Sequence, residues 1–524
     1  MRNWKRGAAW GLLSIGAPLL AVANGQSSDL RADPIMLAAK ADDEPLSREA
    51  LFDLEPVKEK VAIPSGAGKD IPSTADALFD LPAMKEPGRT NEGPIPESKE
   101  ALFGELPAQT RKEEKVESGW HGFFQGEAAR TYADPEHWSK LIGRVEVGTH
   151  GRLDNGAQWK ISGRLDYNAV YDINDFYAPA VRKDQRAEFH LRENYLDFSS
   201  GDWEFRLGRQ HIVWGEMVGL FFADVVSAKD LREFILQDFQ LMRIPQWAAR
   251  AEYFRDDFHA ELIWVPFPSY DEIGKPGTLA QQGSEFFGYP VSPGSPNVLG
   301  SRKPGNNLTN TNYGLRLSRL VSGWDMSGFL YSSMDSSPTY YLVGNPSPGV
   351  YSYLGRHERI HQTGATLAKD FGVFVLKAEA IYTGGRRYNV AVDDAIRYTD
   401  GVVKQNTLDW VLGLDFHPGP DTRLNTQFFQ RVYFNHDKNI IPSHLENGFS
   451  LLVNHKFTDA LEAEALLVRS LNRSDWMLRP KLNWSFERNW RLSLGIDIFS
   501  GPSAGIFGQF DDKDRAYTEL RYDF

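Results

Sequence analysis

The chain holds stretches in which apolar and polar residues alternate, and the links between those stretches alternate in length. In Gln158–Tyr171, Trp159, Ile161, Leu165, Tyr167 and Tyr171 share one face, with Lys160, Ser162, Arg164, Asp166 and Asn168 on the other. Leu478–Glu487 repeats this, setting Leu478, Leu482, Trp484 and Phe486 against Arg479, Lys481, Asn483, Ser485 and Glu487. So does Arg491–Ile498, with Leu492, Leu494, Ile496 and Ile498 set against Arg491, Ser493 and Asp497. A period of two predicts β-strands. Short turns fall at Asp154-Asn-Gly156, Ser199–Asp202, Arg255-Asp-Asp257, Ser322–Asp325, Phe371-Gly372, Gly419-Pro-Asp421, Thr458-Asp-Ala460 and Arg488-Asn489. Between them lie long links: Asp172–Gln185, Gly215–Ile244, Pro268–Thr309, Ser336–Tyr353, Gly385–Gln405, Phe434–His444 and Gly501–Asp514. Only Ala133–His137 and Leu471–Asp475 are short on that side. A soluble β-sandwich has no reason to sort its connections by length onto one end. A closed transmembrane barrel does, with tight turns on one side of the membrane and long loops on the other. The fold expected is all-β: a single antiparallel transmembrane barrel over 118–524, of about eighteen strands counted from Trp120.

The N-terminus sets the compartment. Arg2, Lys5 and Arg6 precede an apolar run from Ala8 to Leu20 and a small-residue site at Ala21-Val-Ala23, so residues 1–23 read as a signal peptide. No later run reaches the roughly eighteen apolar residues a membrane helix needs. Cysteine is absent, which excludes a disulfide scaffold and a lipid on an N-terminal Cys. At the other end, Ala516, Thr518, Leu520, Tyr522 and Phe524 oppose Arg515, Glu519, Arg521 and Asp523. That ending resembles the last strand of bacterial outer-membrane barrels, which assembly machinery recognises. The partners implied are this machinery and outer-membrane lipid. Trp138, Trp203, Trp247, Trp324, Trp476 and Trp490 sit near strand ends, where an aromatic girdle would lie. The net charge of -12 argues against nucleic acid.

Residues 24–117 read differently. They are rich in Pro, Ala, Asp, Glu and Lys, too poor in apolar surface to offset ordering entropy, and are expected to be a disordered periplasmic tail. Three Ala-Leu-Phe repeats punctuate it, with apolar residues Leu51, Phe52, Leu54; Leu78, Phe79, Leu81; and Leu102, Phe103, Leu106. One reading is a docking motif for a periplasmic protein, its affinity raised by repetition on one linker. The other is a spacer with transient helical turns.

The link 215–244 is unusually apolar for a solvated loop. Gly219-Leu-Phe-Phe222 is apolar, and Ser227-Ala-Lys-Asp230 reads as a helix start with Ser227 as N-cap. Leu231, Phe234, Ile235 and Leu236 would form the apolar stripe of that helix, with Lys229, Arg232 and Glu233 on its polar side and Pro245 as its stop. Such a link needs cover, and the barrel interior is the nearest cover. It is expected to fold inward and narrow the lumen.

Gly208-Arg-Gln210, Trp214-Gly-Glu216, Lys229-Asp-Leu-Arg-Glu-Phe234 and Arg243-Ile-Pro-Gln-Trp247 resemble a Gram-negative outer-membrane family of unknown function. Its members are often encoded beside inner-membrane pumps of the resistance-nodulation-division type. More distantly, the chain is similar to alginate-export and phosphate-selective porins. The resemblance covers roughly Arg206–Phe254 closely and the rest of the barrel loosely, and it excludes the tail. It implies handling of a molecule at the outer membrane without identifying that molecule.

Alternation directs Arg144, Glu146, Arg164, Asp166, Arg206, Arg250, Glu252, Arg316, Lys377, Glu379, Arg423, Arg431, Arg479, Lys481, Glu487 and Arg491 inward. The constriction is expected to use Arg206, Arg209, Glu216, Lys229, Asp230, Arg232, Glu233, Arg243, Arg250, Arg479 and Lys481. Free cations there would favour anions; cations paired with lumen acids would only hold a polar interior together. No nucleophile–base–acid constellation and no metal-ligand spacing stands out, so neither enzyme activity, a cofactor nor a metal is expected. The function expected is porin-like passage or export of a small or polymeric, anionic or amphiphilic cargo, the tail docking its periplasmic partner. The alternative is a plugged barrel serving as an anchor for a surface component.

Overall fold

The computed structural model describes residues 119–524, except 174, 216, 218–221, 288–296, 348–349, 391–399, 441 and 504. The expected signal peptide, the expected tail with its three repeats, and Glu216 lie outside the described residues.

Eighteen strands form one sheet. Each pairs antiparallel with the next, and Trp120–Thr131 pairs with Arg515–Asp523 to close the circle. Phe524 extends that seam by exchanging both backbone hydrogen bonds with Gly122, each 2.9 Å. The strand number matches the expectation from the links. No helix among the described residues is long and apolar enough to cross a membrane.

Alternation along the strands puts the apolar set outside. Phe189 is 70% exposed, Ile161 54% and Leu494 47%, while Arg164, Ser493 and Asp497 on the opposite face are buried. A soluble fold would reverse this. The exposed apolar set is the exterior of a barrel that faces lipid. Trp138, Trp203, Trp247 and Trp490 are all partly exposed near strand ends, as a girdle requires.

One strand stops early. The stretch expected to run to Tyr171 ends at Asn168, and Tyr171 is buried in the short helix Val170–Ile173. The Asn168 side chain accepts the N–H of Leu141 at 3.0 Å and of Val170 at 3.3 Å, which turns the chain off the sheet.

The wall is lowest at Trp203–Gln210. This strand of eight residues is paired with Ala187–Ser200 only from Asn194 downward. Gly208 makes the close crossing possible: its φ is 134°, and a Cβ there would collide with the Asn194 carbonyl. After Gln210 the chain leaves the wall and enters the lumen.

Candidate functional site: the inward segment and its cavity

The described residues between His211 and Pro245 lie inside the barrel. Its first part packs Ile212, Trp214, Ala223 and Val226 against inward residues of the wall, including Ile263, Val265, Phe329, Tyr331 and Ile381. The Trp214 indole donates to Glu261 at 3.0 Å, and Glu261 in turn pairs with Arg250 at 2.8 Å. Glu379 accepts the backbone N–H groups of Met217 at 3.1 Å and Ala223 at 2.8 Å.

The second part is not the helix expected. Ala228–Lys229 pair antiparallel with Arg243–Ile244, residues 232–235 form a turn, and helix is confined to Phe239–Met242. The N–H groups that would open a helix are taken elsewhere: Asp230 donates to the Met242 carbonyl at 2.7 Å and Leu231 to that of Glu272 at 2.8 Å. Ser227 donates its hydroxyl to the Ile212 carbonyl at 3.0 Å instead of capping. Phe234, at φ 53°, is left-handed, which no α-helix accommodates. Burial of the apolar residues survives the change of backbone. Leu231, Phe234, Ile235 and Leu236 join Met242 and Phe286 against wall residues Val411, Phe429, Val468, Met477 and Phe499. Lys229, Arg232 and Glu233, expected on a polar face, are buried too.

Burial of charge at this density requires partners. Glu233 accepts from Lys140 at 3.0 Å and Arg515 at 2.8 Å. Lys140 also pairs with Glu127 at 2.9 Å, Arg144 with Glu127 at 3.1 Å, and Arg515 and Arg479 share Asp497 at 2.9 and 2.8 Å. Wall arginines also cap the segment's carbonyls. Arg479 donates to Leu236 at 2.7 Å and Ile235 at 3.3 Å, Arg164 to Leu241 at 3.4 Å, and Arg192 to Arg243 at 3.0 Å. Within the segment, Arg232 pairs with Asp230 at 2.7 Å and reaches Glu188 at 2.7 Å, and Arg243 pairs with Asp224 at 2.8 Å. Burial alone would raise the Asp230 carboxyl, but the Arg232 guanidinium overrides it and holds it well below the usual range. Asp271, in the next long link, accepts the Lys229 N–H at 2.7 Å. Burial pushes its carboxyl up to about 6 against the pull of Lys229.

The residues expected at a constriction therefore separate into groups. Lys229, Asp230, Arg232, Glu233 and Arg243 belong to the segment, and Arg479 holds it. Lys481 borders a smaller space beneath Leu236 and Leu241. Arg206 and Arg250 face inward on neighbouring strands and pair with Asp197 at 2.7 Å and Glu252 at 2.7 Å. Arg209 is a correction: it shares its register with Asn194 and the exposed Trp247, on the outward side, because one step along a strand reverses the face. Glu127, Lys140, Arg192, Asp497 and Arg515 were not singled out as constriction residues. Alternation could have placed them inward, but nothing local marks which residue meets the segment.

Between the segment and the wall lies a cavity of about 80 Å³. Wall strands Trp324–Met334, Arg359–Asp370, Phe374–Gly384 and Thr422–Phe434 border it, with Val225, Val226, Lys229 and Ile235 of the segment and Phe507 of the last long link.

Several solved structures share the barrel remotely. Acinetobacter baumannii OccAB4 matches at 10% identity and TM-score 0.45, covering 78% of this chain and 99% of its own. Acinetobacter baumannii OccAB1 matches at 8% and 0.47, covering 79% and 98%, and Pseudomonas aeruginosa OccK8 (OprE) at 9% and 0.45, covering 78% and 98%. A comparison with curated proteins returned no match. A family model matches residues 150–439, a stretch that contains the low wall, the inward segment and most strands around the cavity; the chain therefore belongs to DUF1302, a family of proteins of unknown function.

Proposed function

We propose that the protein is an outer-membrane passage for a small amphiphilic molecule, with the inward segment as its gate. The observation that carries this reading is the cavity left between a noncovalently held segment and the barrel wall. A lipid-facing exterior and a closed circuit of strands support the outer membrane of a Gram-negative bacterium as its location. Anion selectivity has less support, because the lumen cations Arg144, Arg164, Arg250, Arg423, Arg431 and Arg479 each have a carboxylate partner. A paired cation presents little net field to a passing anion. The tail is proposed to dock a periplasmic protein through its three repeats, which would bring supply or removal of cargo to the barrel.

Planar-bilayer recording tests the gate. The mature chain should give small single-channel steps, and deletion of residues 220–241 should enlarge them. Silence from both forms would overturn passage in favour of a plugged anchor. For the tail, a peptide spanning Ser73–Met84 should retain one envelope protein, and replacing Leu78, Phe79 and Leu81 by Ala should release it; equal retention by both peptides sinks the docking reading.

A further inference from the structure

The lining of the cavity changes character around the wall. Ser333, Gln362 and Thr383 lie on three consecutive strands, and all three are buried neutral polar residues. The next two strands bring the ion pair Asp409–Arg431. Beyond it the lining turns apolar with Phe429, Val468 and Phe507, each no more than 3% exposed.

The charges at this lining already have buried partners, carboxylates for the two arginines and carbonyls for the lysine. Arg386 holds Asp335 through two contacts of 2.7 and 3.2 Å, and Arg431 holds Asp409. Lys229 gives its ammonium to the carbonyls of Asp224 and Ser227, both at 3.1 Å. An ionic ligand end would have to draw a cation from a buried partner, which is costly even where the new pair is good. A hydroxyl or amide needs only a hydrogen bond at Ser333 or at the neutral Gln362–Thr383 pair, whose amide donates to the hydroxyl at 3.3 Å. On the apolar side, a body of matching shape recovers the dispersion contacts that an unfilled wall lacks.

We infer that the cavity binds an amphiphile with an apolar body and an uncharged polar end, the body against Phe429, Val468 and Phe507 and the polar end toward Ser333, Gln362 and Thr383. This deepens the passage reading above and names the chemistry of its cargo.

Binding is tested on the full mature chain in lipid nanodiscs with two fluorescent probes of nearly the same aromatic body. N-phenyl-1-naphthylamine is neutral; 8-anilino-1-naphthalenesulfonate carries a fixed negative charge. After subtraction of empty nanodiscs, the neutral probe should bind saturably at one per chain and the sulfonate about tenfold more weakly or worse. Ile360→Trp and Val468→Trp, which fill the cavity from two strands, should each abolish saturable binding. Leu494→Trp, on the outer face, should leave it unchanged, and retained resistance to SDS before heating identifies folded variants. Sulfonate binding as tight as the neutral probe overturns the uncharged end. Saturable binding that survives both filling substitutions overturns the site. Absence of binding above empty nanodiscs does so as well, while leaving any conductance steps, and hence passage itself, standing.

Discussion

The inward segment meets two unlike sides of the lumen. Near the barrel seam it is held by charge: Glu233 sits between Lys140 and Arg515, and Arg479 caps the carbonyls of Ile235 and Leu236. Across the lumen no ion pair given above ties it to the wall; Trp214 packs beside Phe329 and Tyr331, Glu379 takes two backbone N–H groups, and there the cavity opens. Buried ion pairs tolerate little displacement, since each ångström lost exposes an uncompensated charge in a poorly solvated place. Apolar contacts bordering a cavity are non-directional and can slide into the space beside them. The seam side is thus the fixed end of the segment and the cavity side the yielding one. If the proposed passage holds, a molecule entering the cavity displaces the segment where resistance is least.

The strongest way to break this contrast is Glu233→Ala. It strips two buried cations of a shared partner, a kind of loss worth about 3–5 kcal/mol. Glu127 and Asp497 still stand near Lys140 and Arg515, so the lower end applies. Hydrogen exchange over residues 231–236 should accelerate by about a hundredfold, the equivalent of roughly 3 kcal/mol. Single-channel steps should become larger and noisier. Unchanged exchange would mean that the seam does not fix the segment.

Glu379→Gln probes the polar tether on the yielding side. One amide oxygen can still accept a hydrogen bond from Met217 or Ala223, but the second acceptor and the negative charge are lost. A loss of about 1–2 kcal/mol is expected, less than at Glu233 because the amide keeps one acceptor for these backbone N–H groups. Exchange should rise at Met217 and Ala223 and stay as it was over residues 231–236. Spread of the effect into the latter stretch would show the two sides to be coupled.

What was legible in the sequence divides along the same line. The wall was legible because each strand carries its own period of two, and the turns and links carry their own lengths. The inward course of the segment was legible from its surplus of apolar residues. Its backbone was not. Ser227–Asp230 has the local signs of a helix start, yet Leu231 gives its N–H to Glu272, forty-one positions on and in a different link. The charge hub was hidden for the same reason. Glu233 and Arg515 lie 282 positions apart, and alternation says only that a residue points inward, never which other it meets. Arg209 failed at the one place where the wall ends and the chain turns away. Tyr171 failed where Asn168, a single side chain, overrode a pattern that would have continued the strand.

The gentlest probe, Ile360→Val, separates yielding from merely weak. It removes one methylene from the wall beside the cavity, a change worth about 0.5–1.5 kcal/mol in a packed core. Ile360 lines the cavity and is not packed on every side, so the lower end is expected here, with a correspondingly slight fall in the thermal midpoint. Exchange over residues 231–236 should not change, because no charge contact moves. Binding of the neutral naphthylamine should weaken slightly as its body loses one contact. A result in which this small truncation loosened residues 231–236 as much as Glu233→Ala would place the resistance of the gate in its apolar packing, and the distinction between a fixed and a yielding side would disappear.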